Sequence, residues 1–278
     1  MCFGEASASP FSFAHPMSRY ALTLAYDGSR FSGWQTQPGG VAAQDALERA
    51  LGAIAGHAVE TVCAGRTDAG VHALRQVVHF DSDASRPTQA WLRGVNSHLP
   101  EGLAVRSATP VPDDFHARYG AMRRRYRYLL YRSPVRHPLL ARRAGWTFRD
   151  PDVSRMREAA ATLVGEHDFS AFRSSECQAA SPVRRLEELS LRERGPFVVF
   201  TFTGNAFLHH MIRNLMGALV AVGEGRHAPA WIGQVLAGRD RRRAAATFAP
   251  DGLYFDGAQY DARFGVPSWG DDPLGCFA

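Results

Sequence analysis

The chain has 278 residues, of which 45% are hydrophobic and 21% charged, with a formal net charge of +5 and a pI near 9.3. No apolar run approaches the length of a membrane span, and Cys2, Cys63, Cys177 and Cys276 form no CxxC pair, so a spanning protein, a zinc knuckle and a disulfide framework are disfavoured. All 32 basic residues are arginine, which excludes a P-loop lysine, a Schiff base and a lysine general base while leaving cations suited to phosphate or carboxylate.

Residues 1–18 are rich in Ser, Ala, Phe and Pro and read as a disordered leader without secretory character; Met17 is a candidate start. A cytoplasmic setting is expected. Tyr20 to Tyr26 reads as a strand, followed by an Asp27-Gly28-Ser29 turn. Leu47, Leu51 and Ile54 recur at helical spacing within Gln44–Ile54. A strand at Gln76–Phe80, a helix around Trp91, Leu92 and Val95, and a strand at Ala104–Pro110 complete the first half. The second half repeats the order. Arg125–Tyr131 alternates like a strand, and Ser154–Val164 reads as a helix. Strands at Leu186–Arg192 and Phe197–Thr203 flank a Gly195-Pro196 turn. Phe207, Met211, Leu215 and Leu219 mark a long helix, then come a short helix near Trp231–Leu236 and a strand at Leu253–Tyr260. The fold class expected is α+β, a duplication of two mixed halves whose boundary lies near 112–122. The halves are taken as 19–115 and 116–263, with a loosely held tail at 264–278.

Three constellations carry candidate chemistry. Gly65-Arg66-Thr67-Asp68-Ala69-Gly70-Val71-His72 reads as a tight turn between strands, with one carboxylate beside a cation. A turn aspartate bonding its own backbone and a functional, ionised carboxylate are both open readings of Asp68. Phe115-His116-Ala117-Arg118-Tyr119 through Arg132 interleaves arginines with Tyr119, Tyr126, Tyr128 and Tyr131. That composition suits RNA, with phosphates neutralised and a base stacked on a ring, and equally suits an edge strand with a solvated basic face. Arg213 stands in an otherwise apolar helix and requires an acidic or phosphate partner. His209-His210 is a weak metal signal, since adjacent helical residues diverge, and capping or core histidines are expected. Asp113-Asp114 and Asp271-Asp272 read as solvated loop pairs.

Taken together these segments resemble the TruA family of tRNA pseudouridine synthases. The motif at 65–72 looks like its active-site signature. Tyr26-Asp27-Gly28, Phe31 to Gln37, Gln44 with Leu47-Glu48, Phe115 to Arg118, Arg125 to Tyr128, Gly165 to Phe172, Phe207 to Asn214 and Gly252 to Tyr254 follow in the family's order, over roughly residues 20–260. The resemblance implies two related ferredoxin-like halves with joined, mostly antiparallel sheets and a central cleft. It implies isomerisation of uridine to pseudouridine at positions 38, 39 and 40 of the tRNA anticodon stem-loop, by a homodimer without metal or organic cofactor. It makes Asp68 the nucleophile, Tyr126 the ring that stacks on uracil, Arg213 the partner of the aspartate and Leu253 a pocket wall. Arg66, Arg118, Phe115 and His116 would hold RNA. Leu74-Arg75 departs from the small residue expected before Gln76, and Arg75 is expected to alter the cleft rim. A non-catalytic RNA-binding protein and a nucleoside glycosidase are the rival functions.

Overall fold

The computed structural model describes residues 17–39 and 41–269. The leader lies almost wholly outside them. So do Asp271-Asp272 and the end of the tail. The first half runs β1 (Ser18–Tyr26), α1 (Ala43–Ala55), β2 (Val62–Cys63), β3 (His72–Ser82), α2 (Val95–His98) and β4 (Leu103–Val111). The second runs β5 (Arg123–Arg132), β6 (Gly145–Thr147), α3 (Val153–Ala161), β7 (Gly165–Asp168), β8 (Val183–Arg194), β9 (Phe197–Gly204), α4 (Met211–Gly223), α5 (Ala230–Gly238) and β10 (Leu253–Gln259).

Local rules account for most of these elements. Helix α1 buries Ala43, Ala46, Leu47, Ala50 and Leu51 on one face and stops at Gly56, which takes φ 85°. Asp152 caps α3 by accepting from the amides of Ser154 and Arg155. Trp91 and Val95 are buried as their spacing predicts, but Ala90–Gly94 forms a π-helical turn before the short α2.

The strands form one sheet in the order β4-β1-β3-β10-β5-β9-β8-β7, with β2 on β3 and β6 on β5. The duplication is visible in its topology. The first half pairs its strands as β4-β1-β3-β2, and the second repeats that order with β10-β5-β9-β8. Both are the fourth-first-third-second order of a ferredoxin-like unit, antiparallel at every step. The halves join where His72 and Ala73 of β3 run parallel to Tyr254 and Phe255 of β10.

Alternation along the strands sorts residues between two faces. Tyr126, Tyr128 and Leu130 enter the large core with the helices, while Leu129 joins Leu74, Val199 and Tyr254 in a small cluster on the other face. Arg125 and Arg127 share that second face as expected. Strand β5 is central, however, and neither a solvated nor a phosphate-facing arginine row results. Both guanidiniums bond the fully buried Asp256, at 2.7 and 3.0 Å. Arg75 reaches the same carboxylate at 2.7 Å, so it is anchored there and not at the cleft rim. The tail is likewise tied down at its start: Phe264 is buried against Phe115, with ring centroids 5.1 Å apart. Asp114 pairs with Arg263 instead of standing alone.

Candidate active site

The motif 65–71 connects β2 to β3, and β3 begins at His72, at the seam between the halves. Asp68 therefore sits at the junction of the duplicated units. Its loop is tightly held. Gly70 takes φ 81°, where an added Cβ would also lie 2.9 Å from Pro250. Gly28 admits no side chain either, because its Cβ would stand 2.0 Å from the carbonyl oxygen of Val71. The Thr67 hydroxyl bonds the buried Tyr26 hydroxyl at 2.8 Å, and the Thr67 carbonyl accepts from the amide of Trp34 at 3.0 Å. Gln76 donates to the carbonyl of Gly65 at 2.6 Å, and Arg124 donates to that of Ala64 at 3.1 Å. His72 stitches the halves together. Its Nδ1 accepts from the Gly28 amide at 3.1 Å, which leaves Nε2–H to donate to the carbonyl of Arg142 at 2.8 Å.

The second half supplies the partner of Asp68. Arg213, in the first turn of α4, places Nη1 3.0 Å from Asp68 Oδ2 and donates from Nε to the Phe248 carbonyl at 3.0 Å. The arginine in an apolar helix thus finds the acid required of it. Both side chains are mostly enclosed, 16% and 20% exposed.

His209 and His210 correct the sequence expectation. They precede α4 instead of lying within it, and His210 takes the left-handed φ of 61° without a side-chain capping bond. That turn brings both rings to one carboxylate: His209 Nε2 lies 3.4 Å from Asp68 Oδ1, and His210 Nε2 lies 3.4 Å from Oδ2. The three groups have donor atoms within 4.8 Å of one another. A cation among them would press against the Arg213 guanidinium, so the cluster suits a metal poorly.

The other expected residues fall around this centre. Tyr126 packs against Phe207 and Phe255, with centroids at 5.2 and 4.9 Å, and its hydroxyl faces Gly65. Burial raises its phenol above the ordinary range, and Asp68 is close enough to add to that effect. Leu253 is buried at the start of β10. Arg66 and Arg118 are exposed, and both lie near enough to Cys63 to oppose the burial that pushes its thiol up to about 12. Cys63 is therefore no rival nucleophile. Phe115 does not fit the role expected of it. It is fully buried among Tyr260, Phe264 and His79, and seats the segment that presents Arg118. His116 is partly exposed, and its Nδ1 accepts from the amides of Arg118 and Tyr119. A cavity of about 760 Å³ lies on the far side of the motif, lined by Asp27, His72, Arg143 and Tyr254 but not by Asp68.

The family model described as tRNA pseudouridine synthase matches residues 23–120 and 159–261. The chain belongs to that family. Asp68, Tyr126 and Arg118 come from the first matched stretch and its neighbouring strand, and Arg213 and Leu253 from the second. A tRNA pseudouridine synthase A of Paraburkholderia phymatum is 57% identical over 91% of this chain and 94% of its own. Its counterpart in Bordetella petrii is 59% identical over 89% of this chain and 93% of its own. Among solved structures, a Cbf5-Nop10-Gar1 complex aligns over 85% of this chain and 48% of its own, with 12% identity and a TM-score of 0.37, too distant to carry an argument. The synthase is an isomerase acting on tRNA. Among its described residues no helix is long and apolar enough to cross a membrane.

Proposed function

We propose that this synthase converts uridine to pseudouridine at positions 38, 39 and 40 of the tRNA anticodon stem-loop, with Asp68 as nucleophile. The observation that carries the role of Asp68 is its 3.0 Å contact with Arg213, made across the seam of the two halves. The guanidinium there donates a charge-assisted hydrogen bond that fixes the carboxylate in place. The positions within tRNA rest on the resemblance of the motifs at 65–72, 125–128 and 207–214 to the TruA family.

The reaction breaks the N-glycosidic bond, turns the base and rejoins it through C5. The target base has to leave the stack, at a cost of a few kcal/mol. In this reading Tyr126 stacks on the displaced uracil, Leu253 walls the pocket, and Arg66, Arg118 and His116 hold the RNA backbone. No metal or organic cofactor takes part, and the setting is the cytoplasm. The working unit is a homodimer.

Tritium release from tRNA labelled at uridine C5 tests the reading. Release from a tRNA carrying uridine at 38–40, and not from one lacking it, is expected. No release by folded enzyme overturns the proposal, and free uracil as product would mark a glycosidase.

A further inference from the structure

We propose that His210 is the base that takes the proton from C5 of the rearranged uracil. This rests on the reading of Asp68 as the group that engages the target nucleotide. Isomerisation leaves C5 bonded to the ribose carbon that N1 has left, with its hydrogen still in place. The C5–H bond then breaks, its electron pair returns to the ring, and the proton passes to the unprotonated ring nitrogen of His210. The resulting imidazolium gives that proton to solvent.

Geometry narrows the choice of acceptor. C5 ends bonded to the ribose carbon that N1 has left, and in this reading that ribose lies against Asp68, so the acceptor has to stand near the same carboxylate. His209 and His210 each lie 3.4 Å from it and Arg213 lies 3.0 Å away. Arginine cannot accept a proton. The phenol of Tyr126 keeps its own proton at neutral pH, because burial raises it. An ordinary imidazole is a stronger base than an ordinary aspartate by roughly 2.5 pK units, and a base poised near the working pH is the effective one.

The backbone singles out His210 from its neighbour. A non-glycine residue in the left-handed region is uncommon and unfavourable, and His210 adopts it without a side-chain capping bond. What the conformation does achieve is to aim the ring at Asp68. The charged groups facing it are Asp68 from the β2–β3 loop, His209 beside it, Arg213 from α4 and Glu176 from the loop before β8. Burial lowers the imidazole most, Asp68 opposes, and His209 and Arg213 lower it further, so the ring is neutral and ready to accept.

The test uses full-length enzyme and tRNA carrying deuterium or tritium at uridine C5. His210→Asn and His210→Gly both tolerate the left-handed backbone and remove the base. Both are expected to bind tRNA and to turn over about 10²–10⁴-fold more slowly. The C5 deuterium isotope effect is expected to rise above that of the unsubstituted enzyme, because proton removal becomes the slow step. Added imidazole is expected to restore part of the rate to His210→Gly. Retained turnover overturns the proposal. So does slow turnover with an unchanged isotope effect and no rescue, which would make His210 a positioning residue. Failure of the unsubstituted enzyme to release C5 tritium would instead sink the reading of the site as a whole.

Discussion

At the scale of single residues, the site is one carboxylate with three nitrogen groups around it. Asp68→Asn keeps the shape and removes the charge, so turnover should vanish while tRNA binding survives. Full activity in a filter-binding-competent Asp68→Asn enzyme would refute its role. Arg213 acts on Asp68 through Nη1 and on the Phe248 carbonyl through Nε, two bonds that no lysine ammonium can reproduce from one point. Arg213→Leu leaves a mostly enclosed carboxylate without its counter-charge. We expect kcat/KM to fall roughly 10²-fold, equivalent to about 2.7 kcal/mol, which single-turnover assays would measure. A loss below threefold would show that the pair matters little.

At the scale of elements, the β2–β3 connection is held by Tyr26 of β1, Gln76 of β3, Arg124 of β5 and the amide of Trp34. Strand β3 also seats the segment that presents Arg118: the Ala117 amide donates to His79 Nδ1 at 3.2 Å. Burial, aided by Arg19, lowers this imidazole to about 4. The sign follows from linkage. As pH falls below about 6.5 the unfolded chain binds a proton that the folded chain refuses until about 4. The contribution of His79 to stability is therefore complete above pH 6.5 and lost progressively between 6.5 and 4. Urea melts across that range should show a steeper decline in the unsubstituted protein than in His79→Gln. Equal slopes would refute the assignment. The strands of alternating apolar residues and the helices with apolar residues at helical spacing were legible in advance. The short β2, β6 and β7 were not, since two to four residues carry no period.

At the scale of the whole molecule, duplication creates the site. Each half repeats one strand order, and their meeting at β3 and β10 brings a loop of the first against a helix of the second. The arginine-only charge predicts salt-sensitive tRNA binding. Plots of log affinity against log salt should be steep, and Arg118→Ala should reduce the slope by roughly one ion. An unchanged slope would remove Arg118 from the RNA interface. If the chemistry is carried by side chains alone, turnover should survive dialysis against EDTA, and its loss with recovery on adding a divalent cation would reopen the Asp68, His209 and His210 cluster as a metal site.

The sequence by itself determined the fold class, the turn that carries Asp68, and the need of Arg213 for an acid, because periodicity, turn chemistry and the cost of a buried charge are local facts. Helix pattern and charge alone could not say which acid, and only the family resemblance named Asp68. The pairing itself depended on the packing of α4 across the seam, 145 residues away along the chain. Nor could it show that Arg75, Arg125 and Arg127 converge on Asp256, or that Phe115 is core, since a cation and a ring look the same in sequence whether they meet solvent or protein. The two histidines were misread for a related reason. Their direction is set by one left-handed residue just before the helix, and only the tertiary structure decided that both rings would face Asp68.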